Sequence, residues 1–499
     1  MPSQLPLPHP ISSLDTPSML ISLPALESNI TSLFSLLAAS QSPNTKNKIS
    51  VRPHLKTTKS PHIAHRLTRA GARGFCVAKV SEAEVMLDAG VTDLLITTEV
   101  VGEVKVARVV ELVRRVEGIN LARARARARA QAQKDGEEEG EEGDGDGEGE
   151  ARICCVVDCP AGADALNHAL ALASPSPQST PLTLDILLDI NTGTHRTGLP
   201  PGLPTLHLAQ HILTQTPHLH IRGIQGYEGH AQHIHPASAR RAACEESLAL
   251  LTGTARLLRG EGVDVGVVSC GGTGTVRVCA EWVDGVDGVT GVTEVQPGSF
   301  VGMDADYLDV VWGGGAWNAE EEGDGKGDGK GGKGNEGDGK EEGKGDGKEE
   351  KEKEKEEENG KFKPALWILS TVISGPWDVD VDDNDDQHPE TGQKQPPNRP
   401  RPRRRRAVID AGLKSLTTDS GPARVWQRPG VTYEPLGDEH GGLTWDADSD
   451  PQGGFAWGER VLLVPSHIDP TVNLHDVFYA CRDGLVEEVW PVVGRGMVQ

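Results

Sequence analysis

Up to about residue 300, short apolar, β-branched runs alternate with helix-like segments. That alternation constrains the fold more than any other feature of the chain. The runs lie near Ser50–Leu55, Gly74–Ala78, Asp93–Thr97, Ile153–Asp158, Leu184–Ile190, His220–Gln225, Val265–Ser269 and Thr293–Gln296. Eight short strands separated by helices predict an α/β fold, a parallel (β/α)8 barrel of TIM type. Among the intervening segments, Ser81 to Leu87 predicts a helix with Glu84 three residues after Ser81 as a capping box. Ala237 to Leu258 predicts another, and Val276 to Val292 gives the weakest helical connection.

Beyond residue 300 the alternation stops. Leu366–Ile373, Ala407–Asp410, Arg460–Pro465, Val477–Cys481 and Val486–Trp490 read as strands separated by Gly, Pro and Asp. They predict a C-terminal, mostly antiparallel β domain joined by the segment that precedes the barrel. The division is therefore a barrel over 15–300 and a β domain over 301–499. Three low-complexity insertions interrupt them, at 121–150, 319–361 and 378–406. Their composition cannot offset the entropy of ordering, so they read as disordered, although Arg-Ala repeats favour a helical extension of the first. The basic run ending at Arg403 to Arg406 reads as a solvated loop rather than an RNA-binding or nuclear-targeting segment.

The formal net charge of −24 sits largely in those insertions. It argues against nucleic acid and anionic membranes as partners, but says little about the folded part. Eight cysteines in 499 residues, without paired Cys-x-x-Cys spacing, read as reduced and mostly buried thiols. The N-terminus lacks a signal-peptide pattern and no apolar stretch approaches membrane-spanning length, so the expected location is cytoplasmic.

Chemistry in such barrels gathers where strands end. After the first strand comes Arg52-Pro53-His54-Leu55-Lys56-Thr57-Thr58-Lys59, where partial desolvation would lower the pKa of Lys56. After the fifth comes Asn191-Thr192-Gly193-Thr194-His195-Arg196-Thr197-Gly198, with Arg196 as a fixed cationic fork. The sixth is followed by Tyr227, His230 and His233 within seven residues. Gly271, Gly272 and Thr273 follow the seventh, where backbone N–H groups and hydroxyls suit a phosphate. In the second domain, His467 and Asp469 are two apart, so an extended backbone would turn both toward one divalent ion. On spacing alone, a hydrogen-bonded His–Asp pair in a turn is the favoured reading.

Taken in order, RPHLKTTK, GFCVAKVSEAEVMLDAG with TDLLIT, IQGYEGH, GGTGT, EVQPGSFVGMDADY, VPSHIDPTVNLHD and a late GRG resemble the D-threonine aldolase and D-serine dehydratase family. The resemblance runs from about Asp15 to Gly496 and skips only the insertions. It implies an alanine-racemase-like barrel of fold type III, pyridoxal 5'-phosphate and a divalent metal. It also implies Lys56 as the Schiff-base lysine, although Thr58 departs from a common histidine. Gly271, Gly272 and Thr273 match the phosphate loop, Arg196 a contact near the cofactor ring, and Tyr227 a tyrosine near the cofactor. His467 and Asp469 match the metal ligands. Asp304 and Tyr307 lie in a family motif without assigned roles.

Dehydrating members resemble His-x-Cys and aldol-cleaving members His-x-Asp, as here; a hard carboxylate suits manganese or magnesium ahead of zinc. The implied activity is cleavage of D-threonine or a related D-β-hydroxy amino acid to glycine and an aldehyde, with His230 and His233 as candidate bases. The alternatives are a D-serine dehydratase or D-3-hydroxyaspartate lyase, a non-catalytic protein of pyridoxal-phosphate homeostasis, and a racemase. The partner is a small-molecule D-amino acid, and the implied assembly is a homodimer.

Overall fold

The computed structural model describes residues 6–40, 49–134, 149–174, 180–282, 291–312, 362–379, 403–448 and 453–499. The insertion at 319–361 lies outside them.

The eight expected runs form one parallel sheet: Ser50–Val51, Phe75–Val77, Asp93–Ile96, Arg152–Val157, Leu184–Ile190, Leu219–Gly226, Val267–Cys270 and Glu294–Val295. The last pairs with the first (Glu294 opposite Ser50), and a bridge between His54 and Cys76 closes the first onto the second. The first strand is shorter than expected, because Pro53 has no N–H for the ladder and only the His54–Cys76 bridge continues the pairing, immediately before Lys56.

Two kinds of interaction fill the barrel. Cys76, Leu95, Cys154, Val156 and Leu187 form an apolar cluster. Beside it, Arg52 bonds Asp93 at 2.7 Å and Glu294 at 2.9 Å, tying the first strand to the third and eighth. Gly74 leaves room for this: a Cβ there would meet Arg52 Nη1 at 2.2 Å.

The second sheet contains a closed six-stranded barrel. Leu366–Val379 pairs with Arg404–Ile409 on one side and Arg460–Val464 on the other. Gly441–Asp446, Thr432–Pro435 and Arg424–Val425 complete the ring, and none of these three was expected. Ser18–Ser22 extends the same sheet, antiparallel to Leu366–Leu369 and parallel to Tyr479–Cys481, so the segment preceding the first barrel does join this domain.

The helical extension of the first insertion is met, and two local expectations are corrected. Residues 121–134 continue the helix Glu103–Lys134, as good helix formers following an apolar-faced stem. The end of the basic run is strand rather than loop, with Arg404, Arg405 and Arg406 opposite Val379, Asp378 and Trp377. The expected Ser81–Glu84 cap is displaced: the helix begins at Val80, and Glu82 accepts the Ala78 and Lys79 N–H groups. Ser81 instead donates to the Gln499 carbonyl, and Glu84 accepts from Arg108. Among the described residues no helix is long and apolar enough to cross a membrane.

Candidate functional site

A cavity of about 300 Å³ opens at the C-terminal ends of the barrel strands. Segments following the first, second, third, fifth, sixth, seventh and eighth strands all line it, which is the arrangement barrel topology favours. Of the residues singled out from sequence, Lys56, Arg196, Tyr227, Gly272, Thr273 and Tyr307 line this cavity.

Two lysines follow the first strand, and their environments separate them. Lys59 is buried and bonds Glu82 at 2.5 Å, so it is spent on structure. Lys56 faces the cavity, with Nζ 3.1 Å from Asp469 Oδ2. The nearby carboxylate raises the Lys56 pKa, the reverse of the lowering expected from desolvation, because its attraction outweighs burial. Burial pushes the Asp469 carboxyl up, but Lys56, the Thr57 hydroxyl and His467 together outweigh that and hold it below the usual range.

His54 carries no assigned role in the sequence reading, yet its ring lines the cavity. Its Nδ1 accepts the Lys56 N–H at 3.2 Å, which leaves Nε2–H to donate to Thr97 Oγ1 at 3.1 Å. Burial, with Lys56 adding to it, lowers its pKa to about 3, so the ring is neutral. Opposite, the Arg196 guanidinium lies 5.4 Å from the centre of the Tyr227 ring. Burial raises the Tyr227 hydroxyl pKa.

The end of the cavity formed by Gly272, Thr273, Gly298 and Ser299 has anion-binding chemistry. The N–H groups of Thr273, Gly298 and Ser299 have no hydrogen-bond acceptor among the described residues. Free N–H groups of this kind suit a phosphate. Gly298 lies so close to the first loop that a Cβ would stand 2.9 Å from Thr57 Oγ1. Gly271 lies behind the lining, in a turn with φ +81° packed on Cys279 and Val295.

Glu99, three residues after the third strand, is a further lining residue. Its position was legible in TDLLITTEV, but nothing marked it as special. Burial first, and then the neighbouring Asp189, push its pKa up to about 7. Asp189 is itself raised by burial and accepts from Thr197 at 2.9 Å and Gln225 at 3.2 Å.

The β domain delivers the His-x-Asp segment through a junction. Asp304 is buried and accepts N–H groups from Tyr307 at 2.9 Å and Ile468 at 3.3 Å, binding the two domains together. His467 is extended, but Ile468–Val472 is a helix, so Asp469 sits in its first turn. The extended-strand premise for the pair is therefore corrected; Pro470 in the first turn favours the helix start. His467 Nδ1 lies 2.8 Å from Asp419 Oδ2, which fixes the tautomer and leaves Nε2 free. Asp469 Oδ1 is buried without a hydrogen-bond partner among the described residues. A free imidazole nitrogen and an orphaned carboxylate oxygen are a donor set that fits a divalent cation.

The remaining two histidines do not line the cavity. His233 pairs with Asp306 at 3.0 Å and packs its ring 4.6 Å from that of Tyr307. His230 sits against Gly193, with a 3.5 Å contact to Thr194.

Residues 142–304 match the model of the alanine racemase N-terminal domain, and residues 398–481 that of the serine dehydratase domain. The chain is 29% identical over 487 residues to a D-threonine aldolase of Arthrobacter sp., covering 98% of this chain and 94% of the relative. It is 26% identical over 486 residues to a 3-hydroxy-D-aspartate aldolase of Paracoccus denitrificans strain Pd 1222, covering 97% and 93%. The crystal structure of D-threonine aldolase from Filomicrobium marinum superposes with a TM-score of 0.70 at 29% identity over the whole of both chains. The chain thus joins a match to the alanine racemase N-terminal domain with a match to the serine dehydratase domain, and it is similar along its whole length to these aldolases.

Proposed function

We propose that the chain is a pyridoxal-phosphate- and metal-dependent lyase that cleaves D-threonine or a related D-β-hydroxy amino acid to glycine and an aldehyde. The observation that carries this reading is the contact between Lys56 of the barrel and Asp469 of the β domain. It sets a Schiff-base-capable amine beside a potential metal ligand at the mouth of a cavity with a phosphate-suited end. The names of the full-length relatives supply the substrate class.

The residues present fit both groups. Lys56 would hold the cofactor's aldehyde carbon, and the free N–H groups of Thr273, Gly298 and Ser299 its phosphate. His467 Nε2 and Asp469 would hold the metal, with manganese or magnesium favoured by the hard carboxylate. When bound, pyridoxal phosphate supplies an electron sink for Cα and the metal acidifies a β-hydroxyl.

The chain's own residues then bind, orient and move protons. Asp469 holds the Lys56 ammonium before the cofactor binds. Neutral His54 positions the Lys56 backbone without adding charge beside its amine. Arg196, over Tyr227, offers a fixed cation to an anionic group of cofactor or substrate. His233 is committed to Asp306, so His230 is the freer of the two candidate bases. The eight free cysteines agree with a reducing, cytoplasmic setting, and the family resemblance implies a homodimer.

The test is a product assay on purified protein with pyridoxal phosphate and Mn²⁺, offering D-threonine and D-serine separately. Glycine and acetaldehyde from D-threonine are expected. Pyruvate and ammonia from D-serine, without that cleavage, would replace the aldolase by a dehydratase.

A further inference from the structure

Glu228 is a buried carboxylate, 1% exposed, directly behind the Gly-Gly-Thr loop. Five donors converge on it, the weakest being the Cys279 thiol at 3.9 Å. The Gly271 N–H reaches it at 3.4 Å, the Gly272 N–H at 3.2 Å, the Thr275 hydroxyl at 2.5 Å and the Gln232 amide at 3.3 Å. The donors are mutually consistent: Gln232 Nε2 also donates to Thr275 Oγ1 at 2.8 Å, so Thr275 spends its own proton on Glu228. Gln232 Oε1 meanwhile accepts the Gly274 N–H at 2.9 Å.

This arrangement resolves an apparent contradiction. A loop suited to a phosphate lies against a carboxylate, which would repel that phosphate if the two shared the cavity. They do not share it, because Glu228 holds the Gly271 and Gly272 amides inward while the Thr273 amide has no internal acceptor and its residue lines the cavity. Glu228 also lies close enough to the Cys270 and Cys279 thiols to form a metal-sized cluster. Its oxygens, however, are already engaged by five protein donors, the Cys279 thiol among them.

We propose that Glu228 is a positioning residue for the cofactor phosphate: it latches the loop after the seventh strand in the conformation that presents the Thr273 N–H to the cavity. The latch joins the loops after the sixth and seventh strands, so binding is preorganised rather than made at the moment of contact. This rests on the pyridoxal-phosphate reading above.

The experiment compares equilibrium binding of pyridoxal 5'-phosphate and of pyridoxal to the metal-loaded, cofactor-free protein, followed by absorbance. Pyridoxal carries the aldehyde that meets Lys56 but no phosphate. Wild type is expected to prefer the phosphorylated form strongly. Glu228→Gln keeps the shape but turns an NH₂ group toward donors, and is expected to shrink that preference about tenfold while pyridoxal binding holds. Thr275→Val removes one strut and is expected to reduce the preference in the same direction, whereas Thr275→Ser restores it. An unchanged preference in Glu228→Gln and Thr275→Val, or an equal loss for both ligands, overturns the latch. A wild type that binds neither ligand overturns the cofactor reading itself, and the latch with it.

Discussion

The amine of Lys56 and the Oδ2 of Asp469 lie 3.1 Å apart, one following the first strand of the parallel barrel and the other in a helix of the β domain. The two residues share no local segment, so their contact exists only when both domains are assembled. Lys56→Ala should therefore abolish cofactor absorbance and cut product formation by roughly a thousandfold or more. A variant that still binds cofactor and turns over would remove Lys56 from the proposed site.

The metal reading predicts a change of ion preference. Asp469→Cys exchanges a hard oxygen donor for a soft thiolate and should shift the ion retained after dialysis from manganese toward zinc. Elemental analysis after exposure to equal concentrations of both ions checks this.

Asp419 is exposed, but its bond to His467 Nδ1 orients the imidazole. Second-sphere partners of this kind contribute about 10–100-fold in metal affinity. Asp419→Ala should weaken metal binding by that order, with the barrel's thermal midpoint little changed. Equal affinity in the variant and wild type would make the bond incidental.

Glu99 makes a pH prediction whose sign follows from its raised pKa. Between its ordinary value of 4.5 and about 7, the folded chain holds a proton that the unfolded chain has released. Stability from this group is present below that window and is lost as pH rises through it. Glu99→Gln lacks the titration, so its thermal midpoint should fall less than that of wild type between these values. Parallel curves would mean that Glu99 titrates normally.

Arg52 is the hub of the buried charge network inside the barrel. Arg52→Ala leaves Asp93 and Glu294 without their shared cation, and the cost of stranding buried charges is about 3–5 kcal/mol. Chemical denaturation measures it, and a loss below about 1 kcal/mol would show that solvent reaches the carboxylates.

Much of the barrel was legible because strand and helix periods are local properties of the chain. The three missed strands around Arg424, Tyr433 and Leu443 mix Gly, Pro and polar residues with the apolar ones, and Val425, Tyr433, Leu443 and Trp445 are buried through closure of the six-stranded ring. The displaced cap has a similar cause. Ser81 and Glu84 have suitable spacing, but Ser81 is taken by the C-terminal Gln499 carbonyl and Glu84 by Arg108. His54 and Glu228 lie within RPHLKTTK and IQGYEGH, and Glu99 just after TDLLIT, but nothing local gave them a role; their significance comes from burial and from neighbours remote in sequence.

The sequence by itself determined the alternation that builds the parallel barrel, the glycines that permit its tight loops, and the residue types available at each strand end. Tertiary structure alone decided which of two nearby lysines opens to the cavity, which loop amides turn inward, and which carboxylate meets Lys56. The physical reason is range. Backbone propensity and side-chain periodicity act within a few residues, whereas a hydrogen bond or ion pair needs two groups brought within about 3 Å, and only packing of distant segments does that.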